Sequence, residues 1–252
     1  MSASQVKVLS LPATLANGPG ILSPTVIFDD TAAILFDAGL PGMADTIRAE
    51  MEKAGVPFTR LTHIAITHSD TDHIGSVARL LADGPQKIQV VCHEAERKYV
   101  ECDVPPLRLS QMEATIGNSP EELRPRMAEL VASLKANYWR FKANVDRAVT
   151  DGDSLPCGVE VIYTPGHTPG HLCYYHRPSR TLVAGDMLNV EDGRLVGAPR
   201  FTMLDPEAWR RSAEKLTGVD VRTVVCYHGG VYDRDANGRI AELAASWVAE
   251  NK

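Results

Sequence analysis

Two histidines and two aspartates lie within six consecutive positions of this 252-residue chain, and this cluster constrains the fold most strongly. Residues 67–73 read Thr-His-Ser-Asp-Thr-Asp-His and follow the apolar run at 64–66 directly. The pattern predicts a strand that ends in a tight loop and then opens a helix, so that several side chains point at one place. Imidazole nitrogen and carboxylate oxygen are both good ligands for zinc, iron or manganese. The cluster therefore predicts a dinuclear metal site.

The composition is that of an ordinary soluble globular protein, with 44% hydrophobic and 23% charged residues. The formal net charge of −6 disfavours a nucleic-acid partner, which would normally meet a basic face. No apolar run is long enough to predict a membrane span or a signal peptide, so the default prediction is a cytoplasmic location without a membrane partner. The five cysteines form no C-x-x-C pair, which favours reduced thiols over a disulfide framework.

Strand and helix patterns alternate in both halves of the chain, with one interruption between residues 94 and 150. A helix is predicted over residues 75–82, directly after the His/Asp cluster. In the interruption strand signals vanish, and apolar residues recur at three- and four-residue steps, typical of an amphipathic helix: Leu123, Met127, Leu130, Leu134, Tyr138 and Phe141. The economical interpretation is one α/β domain, residues 1–252, with a helical insert or cap at 94–150.

Three further places repeat the pattern of a β-type run that ends in a small-residue turn with a potential ligand. They are the turn before His167, the Ala-Gly turn before Asp186, and the segment that carries His228 ahead of two glycines. A histidine after a Pro-Gly turn is, taken singly, more often a surface or structural residue. Together with the cluster at 68–73 the three places form an ordered series, which makes coincidence a poor explanation.

This series resembles the metallo-β-lactamase fold superfamily, whose hallmark is H-x-H-x-D-H, then a histidine, a bridging aspartate and a final histidine. The resemblance extends from the Asp-Ala-Gly at 37–39 to the last histidine. It implies an α/β fold in the form of a four-layer αβ/βα sandwich with a helical insert, and it makes Asp37 an orienting residue. His171, the second histidine of a doubled His motif, is predicted to support the site without binding metal.

The resemblance also implies a ligand set for two divalent cations. Metal 1 would be held by His68, Asp70 and His167, and metal 2 by Asp72, His73 and His228, while Asp186 would bridge them.

Asp70 departs from the family motif, which has a histidine at that position. A carboxylate oxygen can occupy the same coordination position, so Asp70 is interpreted as a ligand. Zn²⁺ is the favoured metal for the site as a whole. Because Asp70 makes the metal a weaker Lewis acid, Mn²⁺ or iron are the alternatives.

The predicted function is hydrolysis of a small ester, lactone or thioester, in which a hydroxide held at the dinuclear site attacks the carbonyl. Asp72 has a catalytic role in this hypothesis, as a proton acceptor that assists the leaving group. Two alternatives on the same fold are an iron-dependent redox enzyme similar to a sulfur dioxygenase, and a phosphodiesterase. A β-lactam substrate is less expected, because no export signal is seen.

The insert is where substrate choice is expected, since inserts on a fixed scaffold carry specificity. Tyr138 and Trp139 are the candidate substrate-binding residues, although Tyr138 shares the apolar stripe and could instead dock the helix. The expected partner is a small-molecule substrate, and a homodimer is left open.

Overall fold

The computed structural model of the chain describes residues 3–15, 18–84 and 87–249, with side chains described as far as residue 246. In chain order the strands are β1 (Gln5–Val8), β2 (Leu11–Leu15), β3 (Gly18–Leu22), β4 (Thr25–Phe28), β5 (Ala33–Phe36), β6 (His63–Ala65), β7 (Gln89–Cys92), β8 (Arg147–Ala148), β9 (Ser154–Leu155), β10 (Val159–Tyr163), β11 (Leu172–His176), β12 (Thr181–Gly185), β13 (Leu188–Glu191), β14 (Arg194–Gly197), β15 (Thr223–Cys226) and β16 (Gly230–Tyr232). The α-helices are α1 (Ala44–Lys53), α2 (Thr71–Ile74), α3 (Val77–Asp83), α4 (Glu94–Val100), α5 (Leu109–Ile116), α6 (Arg124–Asn137), α7 (Pro206–Leu216) and α8 (Ala236–Ala249).

Two six-stranded sheets form the centre of the molecule. The first has the order β1-β4-β5-β6-β7-β8, and the second has the order β16-β15-β12-β11-β10-β9. Neighbours from β5 to β8 pair in parallel, as do β12 and β15 in the second sheet. The other pairs within the two sheets are antiparallel, so both sheets are mixed.

The alternation of side chains along β5 shows how the layers stack. Ile34 and Phe36 pack in one apolar cluster with Val161 and Tyr174 of the second sheet, and the Tyr174 hydroxyl donates to the Ile66 carbonyl at 2.8 Å. The two sheets therefore face each other through a shared core. This arrangement explains why strands such as β5 are buried along their whole length, as sheets covered on both sides are.

Helices cover the outer faces of both sheets. On the first sheet Leu35, from the opposite face of β5, packs in a cluster with Ile47 of α1. On the second sheet Leu182 of β12 packs with Trp209 of α7 and Ile240 of α8. The order helix, sheet, sheet, helix is the four-layer sandwich predicted from the sequence, which is confirmed.

The site-forming loops leave the carboxyl ends of strands. Asp37 follows β5, residues 66–70 follow β6, Asp186 follows β12, and residues 227–229 follow β15. Since β5 and β6 are parallel, and β12 and β15 are parallel, the loops of each pair leave at the same edge of their sheet. None of the described helices combines the length and hydrophobicity that a bilayer-spanning segment needs.

The predicted helix over 75–82 differs from the structure, which has α2 and α3 with a break between them. Gly75 lies at this break and packs against the loop before α1. A Cβ at this position would lie 2.3 Å from the backbone nitrogen of Pro41, so only glycine permits the approach. The one-turn helix α2 carries Asp72 and His73, and α3 begins separately after the break.

The long helix predicted through residues 123–141 ends earlier, because α6 stops at Asn137 and a 3₁₀ turn follows at Tyr138–Phe141. Its buried side overlaps the predicted apolar stripe only in part, since Met127 and Leu134 of the stripe are half-buried. Leu123 and Leu130 are 48% and 49% exposed, whereas Val131, off that stripe, is buried. Within the predicted insert, β8 joins the first sheet and α4 packs on the core, so the outlying helices are α5 and α6.

Candidate metal centre

Asp37 lies beneath the His/Asp cluster and orients two of its histidines. Its carboxylate accepts from the backbone N–H of Thr67 at 2.8 Å and from the Nδ1–H of His73 at 2.9 Å. The Thr67 hydroxyl donates to the same carboxylate at 2.8 Å and accepts from the Nδ1–H of His68 at 3.0 Å. Because each Nδ1 faces an acceptor, both rings present Nε2 to the site.

Three side chains form the first half of the candidate site, called here the metal-1 half: His68, Asp70 and His167. The Asp70 Oδ2 atom lies 3.4 Å from Nε2 of His68 and 3.2 Å from Nε2 of His167. These ligand-type atoms all lie within 4.8 Å of one another, which is a spacing that one cation could draw together. His68 and His167 are buried, so this half is closed to bulk water on the protein side.

The second half, called the metal-2 half, consists of Asp72, His73 and His228. The Asp72 Oδ2 atom lies 3.3 Å from Nε2 of His228 and 3.8 Å from Nε2 of His73. Here too the ligand-type atoms lie within 4.8 Å of one another. His228 is the more open histidine, with 24% of its side chain exposed, so the site meets solvent on this side.

Asp186 lies between the two halves. Its Oδ2 atom is 3.5 Å from Nε2 of His167 and 3.4 Å from Nε2 of His228, and its Oδ1 atom is 3.3 Å from Nε2 of His73. One carboxylate thus reaches histidines of both groups. The structure brings all seven side chains of the predicted ligand set together, in the two groups and with the central aspartate that the resemblance implied.

The unpaired atoms at the centre of this cluster fit a divalent cation. His68 Nε2, His73 Nε2 and Asp186 Oδ1 are buried and have no hydrogen-bond partner among the described residues. His73 Nε2 and Asp186 Oδ1 lie 3.3 Å apart as an ion-pair contact, so the clearest cost falls on His68 Nε2, since leaving a buried polar atom unpaired costs about 1–3 kcal/mol. Neutral imidazole nitrogen together with carboxylate oxygen is the donor set that zinc, iron and manganese share.

The carboxylates hold protons on the histidines of the metal-2 half. Burial alone would lower the pKa of His228, but Asp186 and Asp72 outweigh burial and raise the pKa to about 10. Burial acts in the same direction on His73, whose pKa Asp186, Asp37 and Asp72 raise well above its usual value. The pKa of Asp186, which burial would raise, is held well below its usual range by His228 and His73. Without a cation the metal-2 half therefore balances its charges with protons.

Metal binding should release these protons, because a metal takes the neutral imidazole. At neutral pH the free energy needed to deprotonate His73 and His228 opposes metal binding. This cost falls as the pH rises. The apparent metal affinity should therefore rise about tenfold per pH unit for each displaced proton between about pH 7 and 9. Calorimetric titration of the metal in two buffers of different ionisation enthalpy measures the release directly. An affinity that is flat across this range would contradict the expectation.

His171 supports the site through its neighbours. Its Nε2 atom accepts from the backbone N–H of Asp186 at 3.1 Å, and its Nδ1–H donates to the Thr164 hydroxyl at 2.9 Å. Burial, together with nearby His68, lowers the pKa of His171 well below its usual value, so the ring stays neutral. With both nitrogens engaged, His171 orients the backbone of the central aspartate.

Replacement of His171 by alanine should leave two ions bound per chain and weaken their affinity by about tenfold, since residues that orient a ligand typically cost 10–100-fold. Metal content after dialysis against a metal buffer measures both quantities. His63→Ala is the matched control, because His63 bonds to the Thr62 hydroxyl at the far end of β6. Loss of one ion from His171→Ala would show that His171 is itself a ligand.

Sequence reasoning missed three residues that contact the site. The Tyr227 hydroxyl donates to the Asp72 carbonyl at 2.6 Å, and its ring packs on His73 at 4.0 Å between centroids. Glu96 and Arg108 bond to the loops that carry the metal-1 half. A glutamate in the buried stripe of α4 was a usable signal for Glu96, whereas Arg108 follows two prolines in an irregular segment without any pattern.

Tyr138 and Trp139 are the predicted substrate-binding residues. In the described part of the chain, neither forms a hydrogen bond, ion pair or ring contact with any of the seven ligand-type side chains. Trp139 is 58% exposed, and its indole N–H donates to the Ala136 carbonyl at 2.9 Å. The backbone carbonyl of Tyr138 accepts a hydrogen bond from the Cys102 thiol. Their role in binding substrate stays a prediction.

The chain belongs to the metallo-beta-lactamase superfamily, whose family model matches residues 17–228. This is a superfamily of metallo-hydrolases, and its fold implies divalent metal ions, for which the His/Asp cluster supplies candidate ligands.

The chain is similar in sequence or in structure to individual members of known families. It is 29% identical to YflN, a probable metallo-hydrolase of Bacillus subtilis (strain 168), over 214 residues that cover 78% of this chain and 75% of that protein. Over 101 residues it is 41% identical to a hydroxyacylglutathione hydrolase of Rhizobium johnstonii, which covers 38% of this chain and 36% of that protein. The crystal structure of the metallo-beta-lactamase family protein TTHA1429 from Thermus thermophilus matches with a TM-score of 0.65 at 19% identity, over 97% of this chain and 79% of that chain.

Proposed function

We propose that the chain hydrolyses a small ester, lactone or thioester with two divalent cations held by the metal-1 half, the metal-2 half and Asp186. The observation that carries the proposal is the convergence of two three-residue groups on one shared carboxylate. Zn²⁺ is the proposed metal, because imidazole nitrogen is the commonest donor in the set. Mn²⁺ or iron are the alternatives that the oxygen donor of Asp70 favours.

A pair of bound divalent cations supplies hydroxide near neutral pH and polarises a carbonyl oxygen. The chain positions the ligands through Asp37, Thr67 and His171, whose hydrogen bonds fix ring and carboxylate orientation. The superfamily chemistry requires no serine or cysteine nucleophile.

Asp72 is the proposed proton acceptor. Its side chain is 26% exposed, against 13% for Asp70 and 14% for Asp186, so it is the carboxylate most open to a substrate. Burial would raise the pKa of Asp72, but His73 and His228 lower it, and the group stays ionised and able to accept a proton. A proton taken from the attacking water can then pass to the leaving group.

Two exposed apolar side chains support a substrate with an apolar portion. Phe201 is 86% exposed in a turn whose next residues bond to the loop that carries His167, since the Leu204 N–H donates to the Gly166 carbonyl at 2.8 Å. Ile21 is 51% exposed, and its neighbour Leu22 pairs with His228. We propose that an apolar portion of the substrate contacts these two side chains.

Within this substrate class a thioester has support from the similarity to a hydroxyacylglutathione hydrolase, although the likeness covers 38% of the chain. The test is a panel of lactones, acyl thioesters and aryl esters, assayed on protein reconstituted with Zn²⁺, Mn²⁺ or Fe²⁺ in parallel. We expect carboxylic-ester or thioester turnover that chelation removes and metal restores.

The same panel includes a phosphodiester and a thiol persulfide with oxygen uptake as the readout. Metal-dependent turnover of the phosphodiester alone, or iron-dependent oxygen consumption alone, would replace the proposal with the phosphodiesterase or redox function. Asp45→Ala is the surface control, because Asp45 is 87% exposed and pairs with Arg48 within α1. A cytoplasmic location, a small-molecule partner without nucleic acid or membrane, and a homodimer stay predictions.

A further inference from the structure

Glu96 of α4 and Arg108, which directly precedes α5, each bridge loop 67–73 and loop 164–171, which carry the three residues of the metal-1 half. Glu96 accepts from the backbone N–H of Ser69 at 3.1 Å and from the backbone N–H of Gly170 at 2.8 Å. Arg108 donates to the carboxylate of Asp70 and, at 3.0 Å, to the carbonyl of His167. Loop 67–73 and loop 164–171 are therefore joined twice by residues distant from both in sequence.

The Glu96 bridge is fully enclosed. Glu96 has no exposed surface, and its carboxylate also accepts from the Ser69 hydroxyl at 2.5 Å. A Cβ added at Gly170 would lie 2.6 Å from the Glu96 side chain, so the loop closes directly onto it. A buried carboxylate is tolerated only when its oxygens have donors, and here both oxygens do. The bridge therefore forms as a unit with the two loops.

The Arg108 bridge acts on a metal ligand itself. The oxygen it contacts, Asp70 Oδ2, is the same atom that faces the Nε2 atoms of His68 and His167. A planar guanidinium that binds a carboxylate and a carbonyl together fixes the orientation of both groups. Its positive charge also offsets the extra negative charge that Asp70 introduces where the family motif has a neutral imidazole.

The metal-2 half has further contacts of its own, although Asp37 also reaches His68 through Thr67. Asp37 and Tyr227 hold His73 and the backbone of Asp72, and neither Glu96 nor Arg108 bonds to any residue of this half within the described ranges. A change in the two bridging residues should therefore reach one cation and spare the other.

We propose that Glu96 and Arg108 are positioning residues for metal 1, and that Arg108, which donates to Gln111 of α5, couples the outlying helices α5 and α6 to it. Docking of α5, which begins directly after Arg108, and metal binding by His68, Asp70 and His167 then stabilise each other. The coupling is reciprocal, since any contact that favours the bound metal is favoured by it to the same extent. This proposal rests on the metal centre of the proposed function and does not depend on its substrate.

The first experiment is a metal titration of the full-length apo protein with Zn²⁺, followed by calorimetry and elemental analysis. We expect Arg108→Gln and Glu96→Gln to weaken one of two binding steps by about 10–100-fold, the range for residues that orient a ligand. The affinity of the other step should stay within about twofold of the wild-type value. Arg108→Lys should recover part of the loss, because lysine keeps the positive charge but lacks the planar guanidinium that binds two acceptors together. Arg124→Gln and Glu94→Gln are matched controls, since both residues are exposed and bond within their own segments.

The second experiment measures backbone hydrogen exchange in α5 and α6 with and without Zn²⁺. In the wild-type protein metal should slow exchange in both helices, and in Arg108→Gln this protection should be reduced. If the wild-type protein binds two cations and the Arg108 and Glu96 variants bind both cations as tightly, the coupling is wrong and the metal centre stands. Equal weakening of both steps would also overturn the coupling. A wild-type protein that binds no divalent cation would overturn the metal centre and the coupling with it.

Discussion

Replacement of Asp186 by alanine should lower kcat/KM by about a thousandfold or more and reduce the metal content from two ions to one or fewer. Asp186 is the one carboxylate placed within 3.5 Å of histidines from both halves among the described residues. Its removal leaves two cations without a shared anion. The chemistry that the cations supply is worth several kcal/mol, and about 4 kcal/mol corresponds to a thousandfold change in rate.

Asp186→Asn separates charge from shape in this experiment. The amide keeps one oxygen and nearly the same volume, so a loss that matches alanine assigns the effect to the negative charge. Metal content is measured by elemental analysis on the same samples, with Asp45→Ala as the surface control. Unchanged turnover with two bound ions would refute the bridging role of Asp186.

Replacement of Gly166 by alanine should lower the unfolding free energy by about 2–5 kcal/mol, from backbone strain and overpacking together. Gly166 has φ +142°, and a Cβ there would lie 2.4 Å from the backbone nitrogen of Trp209. Its carbonyl accepts from the backbone N–H groups of Leu204 and Asp205, at 2.8 and 2.9 Å. The methyl group would therefore push the loop that carries His167 away from the start of α7.

Thermal unfolding of the metal-free protein measures this effect without any contribution from ligands. For a chain of this size about 2–4 °C per kcal/mol is expected, so the midpoint should fall by roughly 4–20 °C. Gly117→Ala is the matched control, because a Cβ at Gly117 meets nothing within 4 Å and its φ is −62°. Equal midpoints for the two variants would show that the loop can relax around the added methyl group.

The part of the site that sequence predicted is the part encoded locally. His68, His167, Asp186 and His228 each follow a strand pattern directly, and strand ends place their side chains with little freedom. The order of these segments matched a known family motif, which supplied the pairing that periodicity alone cannot give. Fold and grouping could therefore be anticipated before any coordinates.

The contacts that sequence could not predict are those between distant segments. Arg108 is 38 residues from Asp70 and 59 from His167, and nothing in its own neighbourhood indicates either partner. The break at Gly75 was missed for the same reason, because its cause is the backbone of Pro41.

The helical insert shows the limit of periodicity. Its apolar stripe correctly indicated a helix, now α6, but Leu123 and Leu130 on that stripe remain largely exposed. Periodicity gives the face of a helix that could be buried, whereas burial depends on which surface happens to lie opposite. In the described chain the buried face of α6 is centred on Val131, with Met127 and Leu134 of the stripe half-buried beside it.

The donors of the candidate centre are divided between the two sheets: four lie in the loop and helix after β6, and three follow strands of the second sheet. Neither portion of the chain holds a full ligand group, because His167 completes one and His228 the other. Bound cations would therefore act as cross-links. Chelation should therefore weaken the association of the two sheets, which their shared apolar core also holds together.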